Sequence, residues 1–308
     1  MPSISHKANQ LLVLLIKLLI VGCSFYFIYN QLANNNELNW VLFLEKFDKN
    51  KSILGVSLIL LLSILNRLLE ILKWQNLVSY LKSISIFEST KQVLSALTAG
   101  LFTPNGVGEY AGKVLFFEKF HSKNIIFLNL ICNGVQVVVS LFFGIIGLFY
   151  LGYFKWDLIL IVLIFGLSIV LFTFKKIKIK GYSIEILIQK LNKIPKKIHQ
   201  KNSYLAVCRY LIFSHQYYFL FLGFDVQLPY FTLMAAIASV YFLASSLPTF
   251  QFLDFAVKGS VALYFFGKLG INEWIVVFIT TLFWFLNVVL PSIIGSYFVL
   301  VFKPKKLF

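Results

Sequence analysis

Six apolar runs of membrane-crossing length limit what this chain can fold into. They lie at about 11–29, 53–72, 124–152, 157–174, 203–223 and 273–301, with Lys17 inside the first and Pro291 inside the last. A helix rises about 1.5 Å per residue, so roughly 20 such residues cross a hydrocarbon core about 30 Å thick. In lipid the backbone must satisfy its own polar groups, which makes each run a helix. The first run is longer than the apolar core of a signal peptide and reads as an uncleaved span.

Charge supports the same class. Only 13% of the residues are charged, about half the share of a soluble domain. The expectation is an all-α polytopic membrane protein, a single membrane domain over 1–308. The net charge of +16 then reports topology and contact with anionic lipid rather than nucleic-acid binding. Half of it comes from 175–201, where nine lysines and the single acid Glu185 surround Ile184, Ile186, Leu187, Ile188 and Leu191. That segment reads as a cytoplasmic loop with an interfacial helix. Cys23, Cys132 and Cys208 lie in apolar stretches without metal-ligand spacing and read as small hydrophobes; no cofactor or metal is expected.

Two further stretches are apolar but broken. From Leu97 to Lys119 the chain runs through small residues to Thr103-Pro104, turns at Asn105-Gly106-Val107-Gly108, and restarts a helical pattern with Glu109 and Lys113. Proline lacks an N–H and glycine admits unusual dihedrals, so the backbone breaks here. A break inside a membrane has to be buried in protein or face a watery cavity. The second stretch runs from 230 to 247, breaks at Leu247-Pro248-Thr249, and restarts with Asp254 and Lys258. Glu109-Tyr-Ala-Gly-Lys113 matches Asp254-Phe-Ala-Val-Lys258 in its acid, aromatic, alanine and lysine, and Arg67 and Arg209 precede the two prolines by 37 and 39 residues.

The order arginine, proline, acid, lysine therefore occurs twice, which predicts an internal repeat of about 53–174 and about 203–301. Six spans plus two re-entrant hairpins (or eight spans) put both termini and the 175–201 loop in the cytoplasm. The hairpins then enter from opposite sides, an inverted arrangement common in transporters. One feature fits poorly: Arg67 falls late in its apolar run and Arg209 early in its own.

At these residues the sequence resembles the transmembrane region of lysylphosphatidylglycerol synthases, the flippase-like domain family. Pro104, Gly106, Gly108, Glu109 and Lys113 stand at the family's proline, glycine-rich turn, acid and basic positions, with lysine in place of the usual arginine. Arg67 and Trp74 are similar to its upstream arginine–tryptophan element, more widely spaced here. Pro248 and Asp254 match the later block, whose glycines are replaced by Phe250, Gln251, Phe252 and Leu253. The resemblance implies lipid translocation in a bacterial-type inner membrane. It does not imply synthase activity, which belongs to a separate soluble domain.

A lipid phosphate calls for backbone N–H groups at a helix start and a nearby cation. The expected headgroup site is therefore Arg67, Pro104, Gly106, Gly108, Glu109, Lys113, Asp254 and Lys258. The ligand would be an anionic or aminoacylated phospholipid or a lipid-linked sugar. Glu109 and Lys113 also fit a plain helix-stabilising i,i+4 pair. His215 reads as a packed or hydrogen-bonded histidine, and Asn66 and Gln136 as interhelical hydrogen-bond formers. Two other readings stand beside the flippase-like one. One is a membrane-embedded lipid-linked transferase, although Asp48, Asp157, Asp225 and Asp254 are isolated, no acids pair as metal ligands, and no enzyme activity is expected. The other is an accessory subunit of a lipid-modifying enzyme.

Overall fold

A computed structural model describes residues 52–101, 103, 106–155, 183–247 and 251–302, together with isolated positions at 15, 26, 29–30 and between 158 and 177. Most of the runs at 11–29 and 157–174, and the basic end from 303, lie outside the described residues, as do Pro104 and Pro248.

Every regular element among the described residues is helical. Helix α1, Ile53–Val78, starts where the Ser52 hydroxyl accepts a hydrogen bond from Gly55 N. Helix α2, Ile86–Leu101, opens with a reciprocal capping box: Glu88 N bonds Ser85 Oγ and Ser85 N bonds Glu88 Oε2, each at 3.1 Å. The Ser-x-x-Glu spacing carries that signal, because it satisfies two otherwise free N–H groups. Glu88 and Lys91 thus sit at the start of a regular helix rather than in a loop, with Lys82 just ahead of it.

Helix α3, Val107–Val114, follows the first break, with Gly106 at a φ of 65° that favours glycine. Then come α4, Ser122–Tyr150, and the basic helix α5, Ile184–Lys193, capped by Ser183. Pro195 and Pro229 immediately precede α6, Lys196–Leu222, and α7, Tyr230–Ser246. Proline is favoured at helix starts, where its missing N–H would go unused. After the second break come α8, Asp254–Lys268, and α9, Glu273–Val301, capped by Asn272.

Two boundaries differ from the sequence reading. Helix α6 begins at Lys196, not near 203, because lysines end an apolar run without ending a helix. Arg209 thereby moves to the helix midpoint, as Arg67 is in α1, and the mismatch between the two arginines disappears. Helix α9 is not interrupted at Pro291. It takes a π turn at Phe285–Val289 just before the proline and continues as helix beyond it.

Helices α1 and α6 run antiparallel along one another. Gln216 reaches Ile59 O, Arg209 reaches Asn66, and Asn76 reaches Ile198 O. Helix α2 packs against the antiparallel α3, and α7 packs against α8. Helix α4 packs on α7, and the last part of α9 packs on α2. Both latter contacts are close: a Cβ on Gly144 would lie 2.2 Å from Phe242 Cβ, and one on Gly295 would lie 2.2 Å from Leu94 O. One buried apolar cluster gathers α6 to α9, and a second gathers α1, α2, α4, Ile194 and the start of α6 at Ile198.

Ile53–Val78, Lys119–Tyr150 and Glu273–Val301 are long and apolar enough to cross a membrane. Large apolar side chains such as Val138, Phe142, Ile293 and Leu300 stand exposed on their outer faces, in numbers that only lipid makes tolerable. The chain is a helical, membrane-associated protein.

Candidate functional site

The two breaks meet. Gln251, in the 3₁₀ turn before α8, reaches the first hairpin so closely that a Cβ on Gly100 would lie 3.0 Å from its Oε1 and one on Gly106 would lie 3.5 Å away. Beside that meeting point lies a cavity of about 290 Å³. Its lining includes Asn66, Arg67 and Glu70 from α1, Glu109 from α3 and Gln136 from α4. Arg209 comes from α6, Asp254 and Lys258 from α8, and Trp284 and Asn287 from α9.

Its charged wall begins at the crossing of α1 and α6. Glu70 accepts from both arginines: Arg67, one turn earlier on the same helix, and Arg209 at 3.3 Å. Arg209 Nε also bonds Asn66 Oδ1 at 3.0 Å, and Asn66 Nδ2 bonds Asn287 Oδ1 at 2.7 Å. The other terminal nitrogen of Arg67 donates to the Asn287 carbonyl. That carbonyl lies four residues before Pro291, which has no N–H to offer it. The proline thus exposes the acceptor that anchors Arg67.

Two carboxylate–lysine pairs stand across from the arginines. Lys113 Nζ bonds Glu109 Oε1 at 2.7 Å and Asn129 Oδ1 at 2.6 Å, with the Trp74 ring centroid 4.5 Å away. The indole of Trp74 donates to Gln92 at 2.7 Å. Lys258 Nζ lies 2.5 Å from Asp254 Oδ2 and 5.7 Å from the Tyr241 ring centroid. A further lysine, Lys73, is buried and bonds Cys132 O at 3.0 Å and Gln136 Oε1 at 3.1 Å, both neutral.

Of the expected site residues, Arg67, Glu109, Asp254 and Lys258 line the cavity. Lys113 does not. Its side chain is 1% exposed and lies behind Glu109. Gly106 sets the turn, and Gly108 lets α3 approach α2, since a Cβ there would lie 2.1 Å from Ala99 O. Neither lines the cavity.

Sequence reasoning left Glu70, Arg209, Asn287, Gln251 and Trp284 outside the site. Glu70 carried a signal, an acid one turn after an intramembrane arginine; Asn287 and Trp284 sit in an apolar run that gave none. Asn66 and Gln136 do bond between helices, as expected, and also line the cavity. His215 bonds Leu211 O and the Tyr230 hydroxyl.

Five cations line the cavity or bond directly to its lining, namely Arg67, Lys73, Lys113, Arg209 and Lys258. They face three carboxylates, Glu70, Glu109 and Asp254. Arg67 Nε, Gln251 Oε1 and Trp284 Nε1 are buried without a hydrogen-bond partner among the described residues. An anionic group with donors and acceptors of its own fits this surplus of positive charge and these free polar atoms. The chain matches no protein-family model and no curated protein.

Proposed function

We propose that this protein binds the headgroup of an amphipathic phospholipid or glycolipid in the central cavity and moves it between leaflets. One observation carries the reading: two breaks from different parts of the chain converge on a charged cavity at the midpoints of α1 and α6. Charges at that depth cost at least about 2.5 kcal/mol each on insertion scales, so they are retained for a task. A net surplus of cations selects an anionic headgroup such as a phosphate, bound by the paired arginines.

The two halves, about 53–150 and 196–301, are on this reading inverted repeats. Exchanging α1–α4 for α6–α9 maps the α4–α7 packing onto α9–α2 and turns Gly144 into Gly295. It also turns Gln136, which bonds α1 and α6, into Asn287, which does the same. The antiparallel α1 and α6 are the pair such symmetry requires, and the break-and-cavity layout is that of alternating-access transporters. The basic 175–201 segment favours, by the positive-inside bias, a cytoplasmic side for the end holding α5 in a bacterial-type membrane. The resemblance of the Pro104–Lys113 block to flippase-like domains points the same way.

The test is reconstitution of the full chain in vesicles with fluorescent phosphatidylglycerol, read by quenching of the outer leaflet. The protein should speed transbilayer movement. Arg209→Ala or Arg67→Ala should slow it by about 10-fold or more, the value of a lost charge-assisted hydrogen bond. Equal rates with and without protein, or unchanged rates in both variants and in Glu109→Gln, would overturn the reading.

A further inference from the structure

A second concavity, about 480 Å³ in volume, lies at the opposite end from α5. Its walls are the first turns of α1, the last turns of α6 and the first half of α9, and its lining is apolar throughout, with Ile59, Leu220 and Leu286 at its floor. Its rim is exposed at Val56, Leu58 and Leu222. The volume is that of a ligand pocket. At the α5 end of the same helix pair the concavity is smaller, about 180 Å³, and its lining includes Asn124, Lys190 and Lys193 beside Leu128 and Ile194.

The groove and the central cavity share their walls. Leu286 faces the groove while Asn287 faces the cavity, and Leu220 and Tyr217 divide in the same way on α6. Between them runs a bridge of amides. Gln216 Nε2 donates to Ser63 Oγ and to Ile59 O, and Asn287 Nδ2 donates to Gln216 Oε1 at 3.0 Å. That bridge continues through Asn66 to Arg209 and Glu70. A polar partition thus separates an apolar groove that opens outward from a charged cavity.

We infer that the groove holds an acyl chain of the same lipid whose headgroup occupies the central cavity, with the Gln216–Asn287 pair as the partition between tail and headgroup. The assignment rests on the lipid reading above. An amphipathic molecule needs one polar and one apolar compartment within the length of a single lipid. Among the described residues two apolar concavities share three helices with the central cavity, and the groove is the larger: the other, about 280 Å³ between α4, α6 and α7, also carries His215, Tyr210 and Tyr230 in its lining. The concavity at the other end is smaller and carries two lysines, so the groove is the better tail site of the two.

The experiment places the full chain in vesicles of phosphatidylcholine and phosphatidylglycerol bearing a diazirine on the acyl chain, followed by irradiation and peptide mass spectrometry. Adducts should concentrate at 55–60, 219–224 and 278–286. Leu58→Trp and Leu222→Trp, which fill the groove from its exposed rim, should each remove most of that labelling. Val138→Trp, on the exposed face of α4, should not. Labelling spread evenly over the exposed apolar surface, or unchanged in both rim variants, would overturn the groove. Labelling is read whether or not lipid crosses. A labelled groove in a protein that moves no lipid leaves the groove standing and sinks the transport reading, whereas an unlabelled groove in a protein that moves lipid sinks the groove alone.

Discussion

The two hairpins carry the same acid–lysine pair at the same helical spacing, yet their lysines occupy different surroundings. In the first, Lys113 is held by Glu109, Asn129 and the Trp74 ring, and only 1% of its side chain is exposed. In the second, Lys258 has Asp254 and the more distant Tyr241 ring, is 23% exposed, and stands on the cavity wall. Close packing makes the difference. Gly108 and Gly112 let α3 press onto α2, which drives Lys113 toward α1 and α4. The second block has Leu253 and Val257 at the corresponding places. One sequence motif therefore serves as a buried clamp in one half and as a cavity-facing ion pair in the other.

The sharpest way to break this comparison is Lys113→Ala. It leaves Glu109 and Asn129 without their buried partner, so the full chain in detergent should lose about 3–5 kcal/mol of stability. Thermal or denaturant unfolding followed by tryptophan fluorescence measures the loss. If the variant unfolds like the wild type, the clamp does not exist.

A smaller loss is expected for Gly108→Ala. The added Cβ would lie 2.1 Å from Ala99 O, against backbone that cannot rotate away. The α2–α3 hairpin should loosen at a cost of about 1–3 kcal/mol, the usual range for overpacking. Leu253→Ala, at the corresponding position of the other hairpin, should be milder in the same unfolding assay. Equal losses would remove the contrast between the two hairpins.

The smallest effect on stability belongs to Lys258→Ala. Its ion pair is partly exposed to the cavity, so the change should stay within about 1 kcal/mol. Transbilayer lipid movement should nevertheless fall, because a cation is removed from the wall where an anionic headgroup would sit. A large stability loss with unaltered lipid movement would reverse the roles assigned to the two lysines.

Much of the fold was legible in the chain. Helices α4, α7 and α9 and both breaks fall where apolar run length and the Pro and Gly positions place them, because lipid leaves the backbone no alternative to internal hydrogen bonding. Helix starts at Ser85 and Lys196 were harder to see. The first rests on a capping box and the second on a proline, both local signals that hydropathy smooths over.

The sequence alone determined the class of the molecule and the two broken segments, with Arg67, Glu109, Asp254 and Lys258 among the charges that line the cavity. Those are matters of solvation and of backbone chemistry, which act residue by residue. Only the tertiary structure decided which charges meet. Glu70 joins Arg67 to Arg209 because α1 and α6 cross at their midpoints, and Asn287 anchors Arg67 because Pro291 freed its carbonyl. Lys113 turns inward where Gly108 and Gly112 let α3 close onto α2, whereas Lys258, with Leu253 and Val257 at the corresponding positions, faces the cavity. Partners far apart in the chain are chosen by packing, and packing is not written in any single stretch.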